Sequence, residues 1–265
     1  MKLPATRYYG SKRRVVEKIW AALQENHIDF DSMLDLFGGT GIVSYYMAKK
    51  GKAVLYNDIL SFNCEIATAL LQSPKGVFTE TCALNLLQRV PGRVYQTIIE
   101  DNFEDIYYPR EENRLIDTVI QNISFLNDDE RASAYYVLFQ SCMIKRPFNI
   151  FHRRNLNLRT SFIKANFGNK TTWEQFNNEK VNREIKFGKN HEFEQRSHYV
   201  EDLNDLLSHH QNSTIALSYT SAGFPSIDEL CEIIGQYKEQ IIVCNLGNHP
   251  FALNHNNEDR NEVLI

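Results

Sequence analysis

The chain lacks most of the features that fix a function class at once. Its five cysteines (Cys64, Cys82, Cys142, Cys231 and Cys244) are scattered, odd in number and never in CxxC spacing. That excludes a disulfide framework and a zinc ribbon. No long uncharged apolar run is present, so no segment reads as a membrane span. The start, MKLPATRYYGSKRR, has none of the apolar stretch of a signal peptide. A cytoplasmic protein is expected. HExxH, GxGxxG and GxxxxGK[ST] are all missing, and Gly51-Lys52 lacks both the upstream glycine and the following hydroxyl residue of the last. His191, His198 and the His209-His210 pair have no cysteine at ligand spacing. They read as solvated loop residues, and no metal is expected. Seven prolines occur, no two of them adjacent.

What is present is a chain of 265 residues, 43% of them apolar, enough to build a core. Its net charge is −4, unevenly spread. From Arg131 to Trp173 there are eight Lys or Arg and no Asp or Glu, while the rest carries 21 basic against 33 acidic residues. A basic island in an acidic chain is a local field that recruits polyanions. Within it Lys145, Arg146, His152, Arg153, Arg154 and Arg159 are interleaved with Phe148, Asn149, Phe151, Asn155 and Asn157. Cations neutralise phosphates and asparagine reads adenine edges, so these are candidate DNA contacts. A solvated basic face is the plain alternative.

The elements read as an α/β pattern. Met33–Phe37 is a short strand running into Gly38-Gly39-Thr40-Gly41. Ile42–Ala48 follows as a helix, Ala53–Tyr56 as a second strand closed by Asn57-Asp58, and a further helix runs from Glu65 to Leu71. A helix is expected over Arg13–Leu23, ahead of the first strand. The middle is helical near 113–125 and 130–144, then basic and irregular. Strands return at Thr214–Ser218, Ile241–Cys244 and Glu262–Ile265, with Ser226 as N-cap of a helix through Ile234. The expected architecture is an α/β core from 1–80 and 200–265, around a helical and basic insert at 81–199. The Tyr45-Tyr46, Tyr107-Tyr108 and Tyr135-Tyr136 pairs read as packing residues.

A glycine turn between strand and helix lets backbone approach a ligand, and the helix N-terminus adds unpaired amides. Phe37, Gly38, Gly39, Thr40 and Gly41 form that turn. Asp58, 17 residues beyond Gly41, stands where an acid reaches the ribose hydroxyls of an adenosine ligand. NAD and S-adenosylmethionine both carry such a ribose. An ordinary turn with a helix-capping aspartate remains the bland alternative.

Together these residues resemble the DNA adenine-N6 methyltransferases of the Dam-like (D12) class. The likeness is carried by the YxGSK start at Tyr8–Lys12, by DLFGGTG at Asp35–Gly41 and by Asn57-Asp58. Lys145–Asn149, Asn166–Trp173, Leu217–Leu230 and Glu262–Ile265 are similar to segments of one branch of the family. The resemblance implies a Rossmann-like methyltransferase sheet with a helical, basic recognition insert. It implies S-adenosylmethionine as cofactor, contacted by Tyr8, Lys12, the glycine turn and Asp58. It further implies site-specific methylation of duplex DNA, with a cognate restriction endonuclease as partner.

One piece of the family pattern is missing. Its acceptor motif, [D/N/S]PP[Y/F/W] at the end of the fourth strand, needs adjacent prolines. The interval where it belongs, Glu174 to Ser213, is polar, reads as a degenerate linker to about residue 199, and shows no fourth strand. No catalytic residue is assigned. Ser218-Tyr219 could substitute for the motif, or hold their ordinary place at the end of the fifth strand. The resemblance therefore leaves two readings open, an enzyme or a non-catalytic DNA-binding or regulatory protein on the same fold. A nicotinamide enzyme is disfavoured by the YxGSK start and the missing GxGxxG.

Overall fold

The computed structural model describes residues 10–73, 76–104, 106–144, 196–248 and 261–265. Tyr8, the candidates Lys145, Arg146, Asn149, His152, Arg153, Arg154 and Arg159, and most of the 174–199 linker lie outside them. Two compact units emerge, Met1–Arg13 with Phe30–Lys186, and Arg14–Asp29 with Phe187–Ile265.

The first unit opens its sheet with β1 (Ser32–Asp35), then α2 (Ile42–Lys49), β2 (Ala53–Tyr56) and α3 (Ser61–Leu71). The strands pair in parallel, Ser32 opposite Ala53 through Asp35 opposite Tyr56. Parallel neighbours need a crossover, and α2 supplies it. One face is covered by α2, on which α3 packs in turn, and the two helices bury Ile42, Tyr46, Met47, Ile66 and Ala67. The other face carries Leu34 and Leu55, opposite each other and 42% and 68% exposed. The first strand ends at Asp35, two residues earlier than the apolar run suggests. Leu36 and Phe37 have already entered the turn, where the Gly38 N–H donates to Asn57 O at 2.9 Å.

Four helices follow among the described residues of this unit: α4 (Glu80–Leu86), α5 (Ile98–Asn102), α6 (Arg110–Ile123) and α7 (Asp128–Ile144). A core of Leu86, Ile99, Phe103, Tyr108, Ile116, Val119, Ile123, Tyr135 and Leu138 holds them together. Helix α3 lies along α7, and Arg131 of α7 approaches Glu65 of α3 at 3.5 Å. Asp117 supplies a remote cap for the short α5. Its carboxylate accepts the N–H groups of Ile99 and Glu100 at 2.8 to 3.1 Å, donors that a helix start leaves unpaired. Burial pushes the Asp117 carboxyl up to about 6. Glu100, 2% exposed, receives Arg114 at 2.6 and 2.9 Å and Arg110 at 2.8 Å. Those hydrogen bonds, Arg114 first, hold its carboxyl down at about 2.

The second unit contains α1 (Val16–Glu25), α8 (Tyr199–His209), β3 (Ser218–Thr220), α9 (Ile227–Ile234), β4 (Cys244–Asn248) and β5 (Asn261–Leu264). Its sheet is antiparallel, in the order β3-β5-β4. Leu203, Leu207, Leu230, Ile233 and Ile234 form the core between α8 and α9. Ser226 does cap α9, within a full capping box: its hydroxyl accepts from Glu229 N–H while the Glu229 carboxylate takes the Ser226 N–H at 2.8 Å. Lys18 of α1 donates to Leu246 O of β4 at 2.6 Å.

Further expectations are corrected here. The helix expected over Arg13–Leu23 begins at Val16, after a 3-10 turn at Lys12–Arg14. The strands expected at Thr214–Ser218 and Ile241–Cys244 lie further along, at Ser218–Thr220 and Cys244–Asn248. The cause is register. Ser218–Thr220 and Cys244–Asn248 are the residues that lie opposite β5, with Leu217 exchanging two backbone hydrogen bonds with Ile265 just beyond it. Likewise His209 is no loop residue: it closes α8 and meets Asp205 O at 2.8 Å.

Candidate functional site

The glycine turn is built by backbone conformations that side chains resist. Gly39 and Gly41 have φ of 51° and 67°, in the left-handed region that costs other residues energy. Gly41 is also the N-cap of α2, with no side chain over the helix start. The need at Gly38 is spatial. A Cβ there would stand 2.1 Å from the Tyr56 ring. Tyr56 lies across the turn and donates its hydroxyl to Gly39 O at 2.6 Å. Thr40 is buried at the centre, and Phe37 is 65% exposed at the rim.

Asp58 ties the turn to the end of β2. Its Oδ2 accepts the Gly39 N–H at 2.8 Å, and its Oδ1 accepts from Leu60 N–H at 2.8 Å and Asn63 Nδ2 at 3.0 Å. A carboxylate has about four acceptor positions, so these three bonds leave room for about one more. Asn63 is 1% exposed, and among the described residues its own Oδ1 has no hydrogen-bond partner. A buried acceptor left unpaired costs about 1–3 kcal/mol, so the surroundings of Asp58 are incompletely satisfied without a ligand.

Asp35 secures the turn from below. Its Oδ2 receives the Ser44 hydroxyl of α2 at 2.6 Å. Burial pushes its carboxyl above the ordinary range, against the pull of the Ser44 bonds. Asp35 is thus a brace between β1 and α2. Cys64, near the same loop, has its thiol raised by burial and then by the Asp58 charge, the opposite of what a nucleophile needs.

The turn residues Phe37 to Gly41 and Asp58 therefore come together, as the spacing suggests. Lys12 stands half-buried at the start of the 3-10 turn. Tyr56 and Asn63 were not among the sequence candidates. Their signals were weak: an aromatic closing β2, and an asparagine five residues after Asp58 on the first turn of α3. Ser218 and Tyr219 are engaged within their own unit. The Ser218 hydroxyl donates to Glu262 at 2.6 Å, and the Tyr219 hydroxyl donates to Pro225 O at 2.7 Å. Burial pushes the Tyr219 hydroxyl up to about 12. Both residues lie within β3, which Ser218 opens, so neither stands at the end of a strand. Tyr46, Tyr108 and Tyr135 are packing residues, all under 9% exposed.

Among the described residues no three His, Cys, Asp or Glu side chains stand together to hold a metal ion. Among those residues, too, no helix is long and apolar enough to cross a membrane.

Comparison with known proteins places the site in a family. The model of the D12 class N6 adenine-specific DNA methyltransferases matches residues 8–214. The chain belongs to that family. The match runs from the YxGSK start through the glycine turn and Asp58 and across the helical unit. The chain is also similar to the Type II methyltransferase M2.HphI of Haemophilus parahaemolyticus, 28% identical over 151 residues. That alignment takes in 57% of this chain and 43% of the relative, so it spans less than half of the relative's length. No solved structure matches.

Proposed function

We propose that this chain binds S-adenosylmethionine at the FGGTG turn and acts as a site-specific adenine-N6 methyltransferase on duplex DNA. The observation that carries the reading is the junction of Asp58 with the Gly39 N–H, at the carboxyl end of a parallel strand pair and against the N-terminus of α2. Ligands of open α/β sheets bind at that end of the strands. Asp58 and the incompletely satisfied Asn63 beside it fit a ribose, whose hydroxyls donate to a carboxylate. The bare Gly39 and Gly41 backbone admits close approach. Restriction–modification is the setting proposed from the Type II methyltransferase relative.

The cofactor supplies a methyl group already activated on a sulfonium, so the protein's work is positioning and electrostatics. In this reading Asp58 fixes the ribose, Phe37 offers an apolar rim to the base, and Tyr56 with Asp35 holds the turn open in one shape. The basic residues Lys145, Arg146, Asn149, His152, Arg153, Arg154 and Arg159 are proposed to meet the DNA. Neutralising Arg153 and Arg154 should weaken duplex binding and flatten its salt dependence.

One observation favours a second reading. No adjacent prolines exist anywhere in the chain, and the hydroxyls of Ser218 and Tyr219 are already used. A non-catalytic DNA-binding or regulatory protein on the same fold would need no acceptor motif. Two measurements separate the readings. Calorimetry should show S-adenosylmethionine binding that Asp58→Ala abolishes; equal binding by the variant would remove the site from this turn. Transfer of tritiated methyl from the cofactor to adenine in duplex DNA supports the enzyme, whereas cofactor and DNA binding without transfer supports the second reading.

A further inference from the structure

The segment between α4 and α5 is held with unusual care for an exposed loop. Val90-Pro91-Gly92-Arg93 forms a tight turn, with Arg93 N–H donating to Val90 O at 3.2 Å and Gly92 at φ 80°. Asn122 of α6, only 4% exposed, grips the loop with its whole amide. Its Nδ2 donates to Leu86 O and Gln88 O, both at 2.9 Å, and its Oδ1 accepts from Arg93 at 3.0 Å and from the Tyr95 hydroxyl at 2.7 Å. One helical position earlier, Gln121 takes the Gln96 N–H at 2.8 Å and donates to Gln96 O at 2.9 Å. Tyr95 in turn accepts the Val90 N–H at 3.0 Å.

What this framework presents is chemically specific. Arg89 stacks over Tyr95 at 5.1 Å and donates its Nε to Thr118 at 3.3 Å. Arg93 stacks over Phe125 at 3.7 Å. Each guanidinium is thereby fixed through one N–H, with its other donors uncommitted among the described residues. Among the described residues neither has a carboxylate partner, although this helical unit is rich in acids. The chain holds no Asp or Glu between Glu80 and Glu100. Between the turn and Tyr95 stands Val94, 91% exposed, with Phe125 at 68% close by Arg93. Holding a loop in one conformation costs entropy, and an apolar tip gains nothing from water. Planar, pre-oriented guanidinium forks match phosphate oxygens, and a small apolar tip suits a base edge or sugar in a groove.

We infer that the Arg89–Tyr95 loop is a second DNA contact, in which Arg89 and Arg93 each take a backbone phosphate and Val94 enters the groove between them. The contact rests on the reading of this protein as one that acts on duplex DNA, and it lies far along the sequence from the basic residues at 145–159. Each phosphate neutralised by a cation contributes about −0.9 to the slope of log affinity against log salt.

The test uses the full chain, a labelled duplex of mixed sequence, and titrations at several salt concentrations. Arg89→Gln/Arg93→Gln should weaken binding and reduce the slope by about 1.8, two phosphates' worth. From 50 to 200 mM salt, its deficit against the unaltered protein should therefore shrink by roughly tenfold. Arg89→Lys/Arg93→Lys should restore the slope, which separates charge from fold. Val94→Ser should weaken binding with the slope unchanged. Thermal unfolding of each variant checks that α6 still holds the loop. If the unaltered protein binds duplex but the glutamine variant matches it in affinity and slope, the loop contact is overturned and the DNA reading stands. If the unaltered protein binds no duplex at all, the DNA reading falls, and the loop contact with it.

Discussion

Replacing Gly38 by alanine should disturb the glycine turn through one neighbour, Tyr56. The added Cβ would lie 2.1, 2.5 and 2.9 Å from three atoms of the tyrosine ring, closer than any real contact. No positive φ is required at Gly38, so the backbone itself accepts alanine and the strain is steric. The ring has to leave. That forfeits the 2.6 Å bond from its hydroxyl to Gly39 O, about 1 kcal/mol, and overpacking adds about 1–3 kcal/mol. A loss of about 2–4 kcal/mol is expected, large beside the total stability of a domain of this size. Urea denaturation of Gly38→Ala, Tyr56→Ala and the double variant forms a cycle that isolates the cause. With the ring already removed, the three atoms nearest the new methyl group are gone. The double variant should then fall short of additivity by about 1–3 kcal/mol. Strictly additive losses would refute the argument and place the cost of Gly38→Ala elsewhere.

Other expectations concern capping and charge. Ser226→Ala removes one half of the capping box on α9 and should cost about 1 kcal/mol, with Ser226→Asp recovering most of it in thermal unfolding. Asp117, raised from 3.8 to about 6, favours the protonated form in the folded state. Its contribution is thus fully present below pH 3.8 and lost as the pH rises through about 6, so unfolding free energy should decline across that window relative to Asp117→Asn. Glu100, lowered from 4.5 to about 2, has the opposite sign: its contribution is present above 4.5 and lost as the pH falls towards 2. Glu100→Gln should cost about 2 kcal/mol at neutral pH, less than a fully buried pair, because Arg110 and Arg114 are half-exposed and rehydrate. A variant as stable as the parent at pH 7 would show that the ion pairs contribute nothing net.

The parts of this fold that were legible in the sequence are those written locally. Ala53–Tyr56 is legible residue for residue because its short apolar run is closed by Asn57-Asp58. Ser226 announced α9 because a capping box is a contact between positions three apart. The glycine turn and Asp58 were legible as a spacing, and they do meet. What stayed hidden depends on partners distant in sequence. The offsets of β3 and β4 are set by where β5 lies beside them, which no apolar run encodes. Tyr56 and Asn63 matter because of what the turn leaves empty and what Asp58 points at. Asn122 looks like an unremarkable helical asparagine until Arg93, Tyr95, Leu86 and Gln88 are seen around it.

The pairing of β1 with β2 has a kinetic consequence. Among the described residues β1 pairs with β2 alone; so short a ribbon is not stable by itself, and this one carries two opposed, exposed leucines on one face. Its other face and its crossover both belong to α2, with Asp35 and Ser44 as the cross-brace. Ladder amides such as that of Asn57, which donates to Asp35 O at 2.9 Å, therefore cannot be released while α2 stays in place. In deuterium exchange the strand amides and those of α2 should open as one cooperative event, at a single free energy. The glycine turn, strung between them, inherits the lifetime of the whole unit and not that of a loop.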